Sequence, residues 1–99
     1  MITGSQCRAA RALTELTRDR LASLSGVESA VIEAFERRIE LPDDAAIEML
    51  QVTLERAGAL FIAENGGGIG VRLKFTRSEV KRLATLENEG GISALDDVP

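Results

Sequence analysis

Gly26 constrains this chain more than any other single residue. It interrupts residues 17–38, TRDRLASLSGVESAVIEAFERR, which otherwise read as two short amphipathic segments hinged at Ser25 and Gly26. Leu21, Ala22 and Leu24 precede the hinge, and Val27, Ile32 and Phe35 follow it. A sharp turn between helices often needs a positive φ that a Cβ disfavours, and glycine adopts it at little cost. Thr17 is placed to cap the first segment, because its hydroxyl can accept from an unpaired N–H of the opening turn. Ala22 is small where two such helices cross most closely. The spacing predicts helices over about 18–24 and about 28–37.

Two helices joined this way match a helix-turn-helix, whose second helix can lie in the major groove of DNA. The stretch resembles the helix-turn-helix of the Xre family, the lambda repressor/Cro-like regulators. Arg18, Leu21, Ala22, Gly26, Val27, Ile32, Phe35 and Glu36 carry the likeness. ITGSQCRAARAL (2–13) resembles a common opening helix of small bacterial Xre proteins, and ENGGGIGVRLKF (64–75) the C-terminal extension of one subgroup. The resemblance implies a mainly α fold, a four-helix lambda-repressor-like helix-turn-helix domain followed by a short β-hairpin and a C-terminal helix. It also implies sequence-specific DNA binding, usually as a repressor and usually as a homodimer.

The flanking sequence supplies the other elements. Thr3 with Gln6 three residues later is a capping box for a first helix over about 4–14. Cys7, Ala10 and Leu13 recur there at helical spacing, Leu16 lies in the connector, and Arg8 and Arg11 read as exposed. Pro42, Asp43 and Asp44 mark the start of a fourth helix over about 43–57, with acidic side chains at the positive end of its dipole. Ile47, Leu50 and Leu54 point inward, and Gly58 stops it. Then the period changes. LFIA (60–63) and IGVRLKF (69–75) flank Asn65-Gly66, a strong hairpin-turn signal. Val71, Leu73 and Phe75 alternate with Arg72 and Lys74. A lone hairpin is marginal in water, so it must pack on the helices or pair with a second copy.

Thr76 with Glu79 forms a second capping box, opening a last helix over about 77–88 with Val80, Leu83 and Leu86 on one stripe. Residues 89–99 lack periodicity and read as a mobile tail. The division is therefore 1–58 for DNA binding, 59–88 for an extension that serves dimerisation, and 89–99 for the tail. Ninety-nine residues suffice for one modest core, which must be largely aliphatic because the aromatics are three Phe. No apolar run approaches the roughly 20 residues of a membrane span, and no cationic-then-apolar leader opens the chain, which points to the cytoplasm.

Charge complicates the DNA reading. The net charge is −4, whereas DNA affinity rests largely on phosphate neutralisation. The charge is uneven. Residues 1–38 carry six Arg against Glu15, Asp19, Glu28, Glu33 and Glu36, a net of +1. Residues 39–99 carry six basic and eleven acidic residues, a net of −5. A local basic face remains possible, with less long-range steering.

Catalysis is not expected. The chain has no His and one Cys, and its carboxylates show no ligand spacing, so no metal or cofactor is expected. Cys7 lies on the inner face of the first helix and reads as a small core residue. The cluster Gly66-Gly67-Gly68-Ile69-Gly70 precedes a strand, whereas a phosphate loop precedes a helix.

DNA contacts are expected from Thr17, Arg18, Arg20, Glu28, Ser29, Ala30, Glu33, Arg37 and Arg38. Arg37 can donate to guanine, Ala30 or Ala34 can touch a thymine methyl, and Glu33 can accept from cytosine N4. Thr17, Arg18, Arg20 and Arg38 suit the backbone. The plainer reading is that Arg18 and Arg20 solvate a helix start and that Glu33 pairs with Arg37. Glu28 stands where Ser or Thr would cap the third helix. Arg72, Lys74, Arg77, Lys81 and Arg82 form a second basic patch, opposed only by Glu79. If each neutralised one phosphate, the five would steepen the salt slope by about 4.5. A competing reading is a protein-binding antiactivator or adaptor that holds a partner regulatory protein on the acidic, methyl-rich third helix.

Overall fold

The computed structural model describes residues 1–74, and its architecture follows from four helix caps. Helix α1 (Gly4–Thr14) opens with the expected capping box. Thr3 Oγ1 accepts from the Gln6 amide at 3.1 Å, and Gln6 Oε1 accepts from the Thr3 amide at 2.9 Å. Helix α2 (Arg18–Ser25) begins with Thr17, whose Oγ1 accepts from the Arg20 amide at 3.0 Å. Gly26 ends it at φ 78°, donating its N–H to Ala22 O, which is the left-handed turn the sequence predicts. Three residues later α3 (Ser29–Glu36) starts at Glu28, which makes no side-chain cap. Helix α4 (Asp44–Arg56) is capped by Asp43, whose Oδ1 accepts from the Ala46 amide at 2.8 Å. Both α3 and α4 are one residue shorter at each end than expected, because Glu28 and Asp43 act as extended caps rather than first helical residues.

These helices enclose an aliphatic core. Cys7 and Ala10 of α1, Leu21 of α2, Ile32 and Phe35 of α3, and Ile47, Leu50 and Leu54 of α4 are buried together, with Ile2 and Ala59. Each large side chain withdrawn from water contributes about 2 kcal/mol. Leu13 is only partly buried and lies outside this cluster. Leu24 is 48% exposed, and the buried position beside it goes to Ser25, whose Oγ accepts from the Val27 amide at 3.1 Å.

A short antiparallel hairpin completes the described chain, with β1 (Ala59–Ile62) and β2 (Gly70–Leu73) paired from Ala59↔Leu73 to Ile62↔Gly70. It packs on α1 and α4, and Phe61 and Val71 rest against the core. Gln6 fastens it there, its Nε2 donating to Gly70 O at 2.9 Å and to Ile62 O at 3.3 Å. The hairpin falls where Asn65-Gly66 signals it, with a link that is not a two-residue type I′ turn. Asn65 lacks the positive φ that such a turn requires, and residues 63–69 form a longer loop. Glu64 organises it, its Oε2 accepting from the amides of Gly66 and Gly68, both at 3.0 Å.

The fold is thus mainly helical with a small hairpin. The second half of the expected basic patch (Arg77, Lys81, Arg82), the capping box at Thr76, the last helix and the tail all lie outside the described residues. Among the described residues no helix is long and apolar enough to cross a membrane, and no group of His, Cys, Asp or Glu is placed to hold a metal ion.

Candidate nucleic-acid interface

The outer face of α3 is left over once Ile32, Phe35 and Glu36 have turned inward. Glu28, Ala30, Val31 and Arg37 are exposed, and Ser29, Glu33 and Ala34 are half-buried. Val31 is exposed, although a valine is ordinarily given to the core. Its place, one residue before Ile32, turns it away from that stripe.

The relation of α2 to α3 is held by polar contacts as well as by the core. Ser29 Oγ donates to Asp19 Oδ1 at 3.0 Å, joining the start of α3 to the first turn of α2. Ser29 therefore begins as an interhelical tie, and a base edge would have to share its hydroxyl. Glu33 accepts from Arg37 Nη1 at 3.1 Å, the i,i+4 pair of the plainer reading. The Arg37 and Glu33 side chains are 61% and 45% exposed, and such pairs contribute about 0–1 kcal/mol in water.

Arg18 differs most from expectation. Its guanidinium turns back onto the α3 carboxylates, with Nη2 at 3.5 Å from Glu36 and Nη1 at 4.0 Å from Glu33. Its Nε is buried without a hydrogen-bond partner. Arg18 therefore braces α2 against α3 with its side chain a third exposed. Thr17 is taken up in capping, with its side chain at the exposed start of α2. Arg20 and Arg38 are exposed, and neither forms an ion pair among the described residues.

Beneath this face is a buried ionic cluster that the reading of α1 missed. Arg11 is not exposed. Its Nε and Nη2 donate to the two oxygens of Glu36 at 2.7 and 2.8 Å, and its Nη1 donates to Leu16 O at 3.2 Å. Glu36 also accepts from the Cys7 thiol at 3.4 Å. Burial alone would raise the Glu36 pKa, but the hydrogen bonds and charge of Arg11, the Cys7 contact and the charge of Arg18 outweigh it and hold the carboxyl below its ordinary value. Arg11 is raised by its hydrogen bond to Glu36 against the opposing effect of burial. Burial first, then the Glu36 charge and hydrogen bond, push the Cys7 thiol up to about 12. A signal for this cluster was present. Glu36 follows Ile32 by four residues and Arg11 follows Cys7 by four, so each continues a buried stripe.

Among the described residues, depressions lie on both sides of α3. One, of about 700 Å³, lies between α3 and the start of α4 and is lined by Glu28, Val31, Leu41, Asp43 and Met49 among others, with no basic residue. The other, of about 630 Å³, lies between α1 and the end of α3 and brings Ser5, Arg8, Arg37 and Arg38 together. Of the second basic patch, Arg72 and Lys74 are exposed on the hairpin. The glycine loop offers no empty phosphate cradle, because two of its amides are bound to Glu64. No protein-family model matches the chain, and no curated protein matches it.

Proposed function

We propose that the chain is a sequence-specific DNA-binding regulator of the Xre type, acting as a dimeric repressor that inserts α3 into the major groove of a palindromic operator. One observation carries this reading. A short α2–α3 pair, turned by a left-handed Gly26 and tied by Ser29 to Asp19, leaves the outer face of α3 with no role in the core.

Glu33 and Arg37 would then exchange their weak exposed pair for contacts to cytosine and guanine, and Ala30 or Ala34 would meet a thymine methyl. Arg20 and Arg38 would supply phosphate contacts that set the register. In a dimer the two recognition helices would stand roughly 34 Å apart, one turn of DNA.

A second reading is favoured by the acidic depression. Glu28, Glu40 and Asp43 border it, while Leu41 is 75% and Met49 44% exposed. This surface suits a basic, apolar segment of a partner protein better than a phosphate backbone.

Amide chemical shifts separate the two readings. Titration with a duplex from immediately upstream of the chain's own gene should perturb residues 28–38 and the first turn of α2. The protein-binding reading predicts no such perturbation, and instead a captured partner whose addition perturbs residues 40–49.

A further inference from the structure

Gly4 allows α1 to begin against the end of α3. A Cβ there would overlap the Phe35 carbonyl oxygen and lie 2.8 Å from its carbonyl carbon and 3.2 Å from Glu36 Cα. Only a residue without a side chain permits that approach. It brings Ser5 and Arg8 of α1 to the same 630 Å³ depression as Arg37 and Arg38, with Ala9 and Ala12 also in its lining.

The electrostatics of this depression are unusual for an acidic chain. Glu36 is the carboxylate in its wall, and its oxygens are taken by Arg11 and Arg18. Arg37 is held only by the exposed Glu33, a pairing of little strength in water. Arg38 is at φ 58°, a left-handed conformation at which the chain turns sharply away from α3. Arg8, Arg37, Arg38 and Ser5 thus line a depression in which, among the described residues, Glu36 is the carboxylate and is already paired. Planar guanidinium forks match phosphate oxygens well.

We propose that Ser5, Arg8 and Arg38 seat one phosphodiester of a DNA backbone, which adds α1 to the DNA interface and leaves Arg37 to the base edge. The inference rests on the DNA-binding reading above. Such a contact positions the protein without reading sequence. It therefore moves affinity and salt dependence while leaving discrimination between sequences unchanged.

The test is anisotropy of the full chain with upstream and scrambled duplexes across a salt series. Arg8→Gln should weaken binding to both by about three- to tenfold and reduce the salt slope by about 1. Ser5→Asp is the second variant. An acidic residue in the first turn favours the helix, so folding is retained while the added charge opposes the phosphate. It should weaken binding at least as much. Arg56→Gln, an exposed cation at the far end of α4, should leave the slope unchanged.

Native binding with a normal salt slope that neither Arg8→Gln nor Ser5→Asp alters would overturn this site alone. Absence of DNA binding by the native chain would overturn both the site and the reading beneath it. Competition by inorganic phosphate beyond that of chloride at equal ionic strength, lost in Arg8→Gln, would identify a free-phosphate pocket and overturn the assignment to DNA.

Discussion

Arg11 and Glu36 form a two-bond fork, Nε to Oε2 at 2.7 Å and Nη2 to Oε1 at 2.8 Å, with the Glu36 side chain fully buried and that of Arg11 16% exposed. It joins the first helix to the helix that carries the candidate interface. Breaking such a pair leaves one charge in the interior without its partner, at about 3–5 kcal/mol. Arg11→Met and Glu36→Leu should each lower stability by about 3 kcal/mol in urea unfolding. The double variant should lose less than either single one, because the buried carboxylate and the Arg11 guanidinium leave together, while Arg18, a third exposed, keeps Glu33.

Acid should weaken the fold through the same carboxyl. Glu36 is held below its ordinary value of 4.5 in the folded chain. The unfolded chain therefore takes up its proton first as pH falls, and stability rises with pH through that window. The contribution is complete above 4.5 and is lost as pH drops through the lower folded value. Urea midpoints measured from neutral pH to pH 2 should fall steeply at the acid end. In Glu36→Gln that fall should be shallower from a lower neutral-pH midpoint, and an unchanged profile would contradict the assignment.

Cys7 should be inert in the native protein. It is 0% exposed, and burial together with Glu36 raises its pKa to about 12, so almost no thiolate exists at neutral pH. A disulfide reagent at pH 8 should label the folded chain at least about 100-fold more slowly than the urea-unfolded chain. Labelling of the native chain at the unfolded rate would contradict its placement.

Gly4 and Gly26 should respond differently to alanine. At Gly26 the penalty is the left-handed φ of 78°, with open space around the missing Cβ, so about 1 kcal/mol is expected. At Gly4 the new Cβ meets the backbone of Phe35 and Glu36, which cannot rotate away. Gly4→Ala should cost about 3 kcal/mol and separate α1 from α3. Thermal unfolding of the two variants gives the comparison, and equal losses would contradict the tight approach.

Local chemistry made most of the helical fold legible. Thr3, Thr17 and Asp43 cap helices because a side-chain oxygen within three residues is enough, and Gly26 ends one because glycine tolerates a positive φ. The Cys7–Ala10, Ile32–Phe35 and Ile47–Leu50–Leu54 spacings identified core faces for the same reason. The candidate site was harder to read because its geometry is set across the chain. Arg11 meets Glu36 twenty-five residues away and Arg18 meets it eighteen residues away. An arginine that looks solvated in its own helix is thus claimed by another. The hairpin was legible from Asn65-Gly66, but the course of its loop was not, since Glu64, outside that pair, sets the amide directions.

The most direct measurement is fluorescence anisotropy of the protein with the DNA immediately upstream of its own gene, beside a scrambled duplex, across a salt series. Tight binding to the upstream duplex alone is expected, weakened by salt and by Arg37→Ala, with an inverted repeat whose half-sites lie one helical turn apart. No preference over the scrambled duplex at low salt would contradict a sequence-reading role for α3 on this DNA and favour the protein-binding reading.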